Sequence, residues 1–161
     1  MFNLLKEVPN LELCYKLKQL GYPQEKEGIY WVEAGTWGDP KTWKLGFKNF
    51  FKHAGLLEKE CIQVTKGCGC CADFETVEGE IIKAPTCHEL SNWIPHKIET
   101  KVGECYLHIS KSYDVWWCGY ESLKYETYLH LEKDNTLANT LAKILIWLVE
   151  EGYVKFKKKE K

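Results

Sequence analysis

Apolar and polar positions fall into their clearest order between Asp134 and Gly152. Leu137, Leu141, Ile144, Leu145 and Leu148 recur at spacings of four, three, one and three, along one face of a 3.6-residue period. Ala138 and Ala142 flank this stripe and let the segment lie close to a flat partner. Asp134-Asn135-Thr136 offers side-chain oxygens to the unpaired amides of a first turn. Gly152 is placed to take the left-handed conformation that ends a helix. The spacing predicts a helix of about five turns, and its leucine stripe must be buried against something.

The three runs before it supply that partner. Cys105, Leu107 and Ile109 alternate with Tyr106, His108 and Ser110. From Asp114 to Glu121, Val115 and Trp117 alternate with Trp116, Cys118 and Tyr120. Tyr125, Thr127, Leu129 and Leu131 alternate with Glu126, Tyr128, His130 and Glu132. A period of two throughout predicts an antiparallel meander with one greasy face under the helix. The faces of Trp116 and Trp117 stay open at this point, because a one-residue bulge exchanges them.

Earlier in the chain the signals are shorter. Pro9-Asn10 opens an amphipathic helix running to Leu20, stopped by Gly21-Tyr22-Pro23. Gly28 to Ala34 and Thr42 to Phe47 are β-branched and aromatic, hence strands, joined by the turn residues Gly35 to Pro40. Asn49 to Lys59 fits helix or loop. Cys61 to Thr65 alternates as a strand, and Asp73–Val77 with Glu80–Ala84 reads as a hairpin turning near Glu78-Gly79. Thr86 and Glu89 have capping-box spacing at the head of a further helix, with Leu90 and Trp93 buried and Pro95 beyond its end. Tyr153 to Phe156 reads as an edge strand, and Lys157-Lys158-Lys159 as a solvated tail. The fold class is therefore α+β: an antiparallel sheet packed by a long C-terminal helix, with two shorter helices.

At 161 residues the chain is most simply one domain with a real core. No apolar run approaches the roughly 20 residues that span a bilayer. The segment Met1 to Glu7 lacks the basic start and apolar stretch of a signal peptide, so a cytosolic protein is expected. Eight cysteines in such a compartment read as reduced, buried or metal-bound rather than as a disulfide framework. The net charge of −1 gives no long-range pull towards nucleic acid or membrane. All 22 cationic side chains are lysine. Arginine is the usual bidentate reader of guanine and phosphate, so its absence weakens sequence-specific DNA binding, although the ordinary and favoured explanation is an AT-rich genome whose codons prefer lysine.

Four segments come in a familiar order. They are Cys14 to Gln24; Tyr30-Trp31-Val32; Ala84-Pro85-Thr86 with Glu89-Leu90 and Trp93-Ile94-Pro95; and Thr136-Leu137-Ala138 with Leu141-Ala142, Trp147-Leu148 and Glu151-Gly152. In these the chain resembles a family of small phage and prophage proteins without an assigned activity. The resemblance spans most of the chain and implies a shared fold and a phage setting. Its motifs are a capped helix, a strand and a helix seam, so it carries over no catalytic residue. The cysteine-containing stretch at about 49–75 departs from that pattern as an insertion.

Three kinds of chemistry compete. Cys68 and Cys71 have C-x-x-C spacing around Gly69, which lets amides turn towards sulfur; Cys70, Cys61 and the Cys87-His88 pair are the partners from which a four-ligand zinc site would be completed. The metal set is then Cys68, Cys70, Cys71 and Cys87, with zinc as the cofactor; the ordinary reading is a glycine-cysteine turn with plain thiols. Cys105 and His108 contribute one ligand at most, since strand residues three apart face opposite ways. Catalysis finds no nucleophile elbow, phosphate loop or His-Glu-x-x-His, and Cys87 in a first helical turn usually just packs.

The third candidate is the sheet face away from the long helix. Tyr106, His108, Trp116, Tyr120, Tyr128 and His130 would there form an aromatic platform able to stack rings. Against this, aromatics usually fill cores. The expectation is a non-catalytic binding module of a phage or prophage, acting in the bacterial cytoplasm on a host protein or a small nucleotide-like signal to blunt a host defence. The alternative is a zinc-stabilised nucleic-acid-binding accessory protein. Nucleic acid is the less favoured partner, no membrane is expected, and oligomerisation stays open.

Overall fold

A computed structural model describes residues 4–24, 28–34, 42–48, 61–64 and 73–156. The turn at 35–40, the stretch at 49–60, the Cys68–Cys71 loop and the lysine tail lie outside the described residues. Length alone suggests one domain, whereas the chain divides into two compact units, Met1–Tyr22 with Pro85–Lys161, and Pro23–Ala84.

In the second of these, β1 (Gly28–Ala34), β2 (Thr42–Lys48), β3 (Cys61–Val64) and β4 (Asp73–Lys83) pair in that order and close into an antiparallel barrel. β4 is one continuous strand and not the expected hairpin. Its first part pairs with β3 and its later part with β1, and closure of the barrel requires both. The residues Glu78-Gly79-Glu80, which look like a turn, fall where the β1–β4 register shifts between Val32 and Ala34. They are absorbed as a bulge. Ile29, Tyr30, Val32, Ile82 and Ala84 are buried, and the Lys83 ammonium lies 5.3 Å from the centre of the Tyr30 ring.

The other unit carries the sheet that the C-terminal helix covers. Short α1 (Leu4–Glu7) precedes α2 (Leu11–Gln19), whose start is capped by the Asn10 side chain accepting from the Leu13 amide at 3.0 Å. α3 (Cys87–Ser91) has the full capping box: Thr86 Oγ1 accepts from the Glu89 amide, and Glu89 accepts from the Thr86 amide. Four strands follow in the order β5 (Lys97–Thr100), β6 (Gly103–Ser112), β7 (Val115–Ser122) and β8 (Thr127–Asp134), each antiparallel to the next. α4 (Leu137–Glu150) then packs on β7 and β8 and against α2 and α3.

α4 begins at Thr136, whose hydroxyl accepts from the Asn139 amide at 3.2 Å, and ends before Gly152 at φ 81°. Its leucine stripe joins Leu17, Tyr22, Leu90, Ile94, Ile98, Cys105, Cys118 and Tyr120 in one buried cluster. The α+β architecture, with its long terminal helix on an antiparallel sheet, follows from these contacts. Tyr153 to Phe156 is not an edge strand. The Val154 amide donates to the Leu148 carbonyl at 3.1 Å, and the Phe156 ring stands edge-on to Tyr22 and Trp93, so core packing takes residues that alternation alone would place in a strand.

Candidate functional site

The two faces of the β5–β8 sheet are set by its turns. β6 and β7 are joined by the two residues Tyr113-Asp114, with Tyr113 at φ 53°, so Ser112 pairs with Val115. Pairing across a two-residue turn matches even positions of one strand with odd positions of the next. Leu107 therefore shares a face with Tyr120, and Tyr106 with Glu121. Between β7 and β8 the register shifts: Tyr120 opposes His130, but Glu121 opposes Tyr128, leaving Leu129 as the extra residue of a bulge. His130 and Tyr128, two apart in sequence, consequently face opposite ways.

The six platform residues thus divide three and three. Tyr106, His108 and Tyr128 lie on the open face. Trp116, Tyr120 and His130 lie on the helix face, which corrects the reading that all six share one surface; the turn parity and the bulge are the cause. Tyr120 is buried, donates its hydroxyl to the Pro95 carbonyl, and sits 5.9 Å from the Trp147 ring of α4. His130 stacks on Trp147 with centroids 4.4 Å apart and planes 4° from parallel, and its Nε2 lies 3.0 Å from Glu132. Trp116 lies beneath the Lys111 ammonium at 5.3 Å.

On the open face, Tyr106 and Tyr128 are 39% and 38% exposed. The Tyr128 hydroxyl lies 2.9 Å from His108 Nδ1, and Glu121 approaches the same nitrogen at 3.5 Å. With the hydroxyl donating to Nδ1, a neutral imidazole carries its proton on Nε2, which meets no hydrogen-bonding partner among the described residues. Beside this group Lys97 Nζ pairs with Glu104 at 2.7 Å, and the Tyr106 hydroxyl donates to the same carboxylate at 2.8 Å. Those two donors, Lys97 first, hold the Glu104 carboxyl below its ordinary range. The hydrogen bond to Glu104 in turn pushes the Tyr106 phenol up.

Sequence reasoning missed three further members of this face. Trp117 lies under the Lys133 ammonium at 5.4 Å, Leu131 is exposed, and Gly119 pairs between His108 and Leu131. A Cβ on Gly119 would run into the His130 carbonyl and the Leu131 side chain, so glycine is what lets β8 lie so close. The signal for Trp117 and Gly119 was the two-residue turn, which assigns odd positions of β7 to this side; Leu131 of β8 joins them by pairing with Gly119.

Of the proposed metal ligands, Cys68, Cys70 and Cys71 lie outside the described residues. Cys87 is half-buried and its thiol points to the Glu7 carbonyl at 3.7 Å; burial, then the Glu7 carboxylate, push it up. Cys105 and His108 face opposite sides of the sheet. Among the described residues no three His, Cys, Asp or Glu side chains gather as metal ligands do, and no helix is long and apolar enough to cross a membrane. Comparison with protein-family models, curated proteins and solved structures gives no match, so the residues themselves carry the functional reading.

Proposed function

We propose that this chain is a non-catalytic binding module that recognises a host protein through the open face of the β5–β8 sheet. The observation that carries this is the exposure, on one side of a helix-backed sheet, of Tyr106, His108 and Tyr128 beside Trp117 and Leu131. Aromatic side chains that present a ring and a polar tip anchor protein interfaces with little loss of side-chain freedom. Charge favours the protein over the nucleotide-like signal of the two partners expected from sequence. By register the face carries Glu99, Glu104 and Glu121 against Lys97 and Lys133, and Lys97 is already held by Glu104. A nucleotide-like phosphate would meet more carboxylates than ammonium groups there, whereas a protein surface of mixed polarity would not be repelled.

The phage or prophage setting, the bacterial cytoplasm and the blunting of a host defence rest on the sequence resemblance. Thermal unfolding against a nucleotide panel, alongside capture from host lysate, tests the choice of partner. A ligand at 100 times its dissociation constant adds about 2.7 kcal/mol of stability, and a shift of that size with a nucleotide would replace the protein partner by the small signal. About one zinc per chain, lost in Cys68→Ser, together with salt-dependent retention on single-stranded DNA, would move the reading to the nucleic-acid accessory protein.

A further inference from the structure

β8 is the last strand of its sheet, and the alternation of hydrogen bonds leaves part of its backbone facing outward. The Leu107 amide donates to the His96 carbonyl at 2.9 Å, so the backbone of Leu107 faces β5 and that of His108 faces β7. His108 pairs with Gly119, whose backbone faces back to β6; those of Cys118 and Tyr120 then face β8, where they meet Glu132 and His130. Leu131 and Lys133 are left with their amides and carbonyls on the outer edge. The Lys143 ammonium bears this out, lying 3.0 Å from the Lys133 carbonyl. A carbonyl oxygen accepts twice, so that contact does not close the edge. No described strand pairs with it. Leu129 and Leu131 stand 38% exposed along it, and on its helix side Trp147 stacks on His130, with Tyr153 5.5 Å from Trp147.

We propose that this edge takes the β8 strand of a second copy of the chain, antiparallel about a two-fold axis at Leu131, joining the two sheets into one. The bare backbone would accept any extended chain; the side chains beside it select a copy of itself. An axis at Glu132 sets two carboxylates against each other, one at Lys133 two ammonium groups, and one at His130 pairs imidazole with imidazole. At Leu131 each Glu132 opposes the His130 of the other copy, and leucine meets leucine. Within one chain His130 Nε2 already lies 3.0 Å from Glu132, so the axis closes two imidazoles and two carboxylates into one set. Such self-complementarity is what a two-fold contact requires. The axis stands perpendicular to the sheet, so the open faces of both copies lie on the same side and neither covers the other.

Sedimentation equilibrium of the full-length protein, from dilute solution to about 1 mM, is the test. The mass should rise from 18.8 kDa towards twice that value, and exchange of the Leu131 amide should slow as it does so. Leu131→Pro removes the outward amide while sparing the β7–β8 hydrogen bonds, and should abolish the rise. Glu132→Lys, at a half-buried position, loses both cross-strand pairs and should weaken the dimer about tenfold; it serves should Leu131→Pro fail to fold. A mass that stays at 18.8 kDa up to about 1 mM overturns the proposal and leaves the edge to some other extended chain. So does a dimer that survives in Leu131→Pro, one unmoved by Glu132→Lys, or one in which the Leu131 amide gains no protection.

Discussion

Replacing Tyr120 by Phe leaves its ring beside Trp147 but removes the hydroxyl that donates to the Pro95 carbonyl. Tyr120 is wholly buried and its hydrogen bond to Pro95 is part-buried, so water replaces the lost donor only in part. The loss should lie at about 1–1.5 kcal/mol, between a replaced and an abandoned hydrogen bond. For a chain of 161 residues that is a drop in Tm of roughly 2–6 °C. The matched variant Tyr128→Phe removes the contact with His108 on the exposed face, where water substitutes freely, and should stay within about 0.5 kcal/mol of the parent. Thermal unfolding followed by near-ultraviolet circular dichroism measures both. The pair tests which side of the sheet the helix covers. A neutral Tyr120→Phe beside a Tyr128→Phe that costs more than about 1 kcal/mol would mean that the strands are displaced by one residue and the faces exchanged.

The remaining expectations concern the same unit. Gly119→Ala should cost about 1–3 kcal/mol in denaturant unfolding, because the added methyl meets the His130 backbone rather than a movable side chain. Burial pushes the Cys118 thiol up to about 12 from an ordinary 9.0. The folded state thus favours the neutral thiol: stability is full below pH 9, declines towards pH 12 at up to about 1.4 kcal/mol per unit, and alkylation of Cys118 at pH 8.5 should await unfolding. Burial alone would raise the Asp134 carboxyl, yet hydrogen bonds from Lys143, Asn139 and the Thr136 amide outweigh it and hold the group below its ordinary value. Its contribution is then present above the unfolded carboxylate range and lost as pH falls through the lower folded one; Lys143→Met should shift the acid-unfolding midpoint upward.

What the sequence made legible was whatever a local rule governs. α4 could be placed from its leucine stripe and its Thr136 cap, α3 from the Thr86–Glu89 pair, and β6 to β8 from alternation. The rest depended on contacts between segments. β5 has one buried apolar residue, Ile98, and is a strand because β6 lies beside it. Glu78-Gly79-Glu80 resembles a turn until closure of the barrel stretches it into a bulge. Tyr106, His108 and Tyr128 do share one face by register, but Trp116, Tyr120 and His130 were joined to them by carrying one parity through a turn and a bulge that reverse it. Trp117 and Leu131 were passed over for the same reason.

Comparative capture from host lysate tests the central claim most directly. Full-length protein, the double variant Tyr106→Ala/Tyr128→Ala, and a control, Lys16→Ala on the exposed side of α2, are used as bait, and bound proteins are quantified by mass spectrometry. The account predicts one host protein enriched by the parent and the control, and depleted at least about tenfold by the double variant, as loss of two anchoring aromatics implies. The same host protein retained by a folded double variant would contradict it.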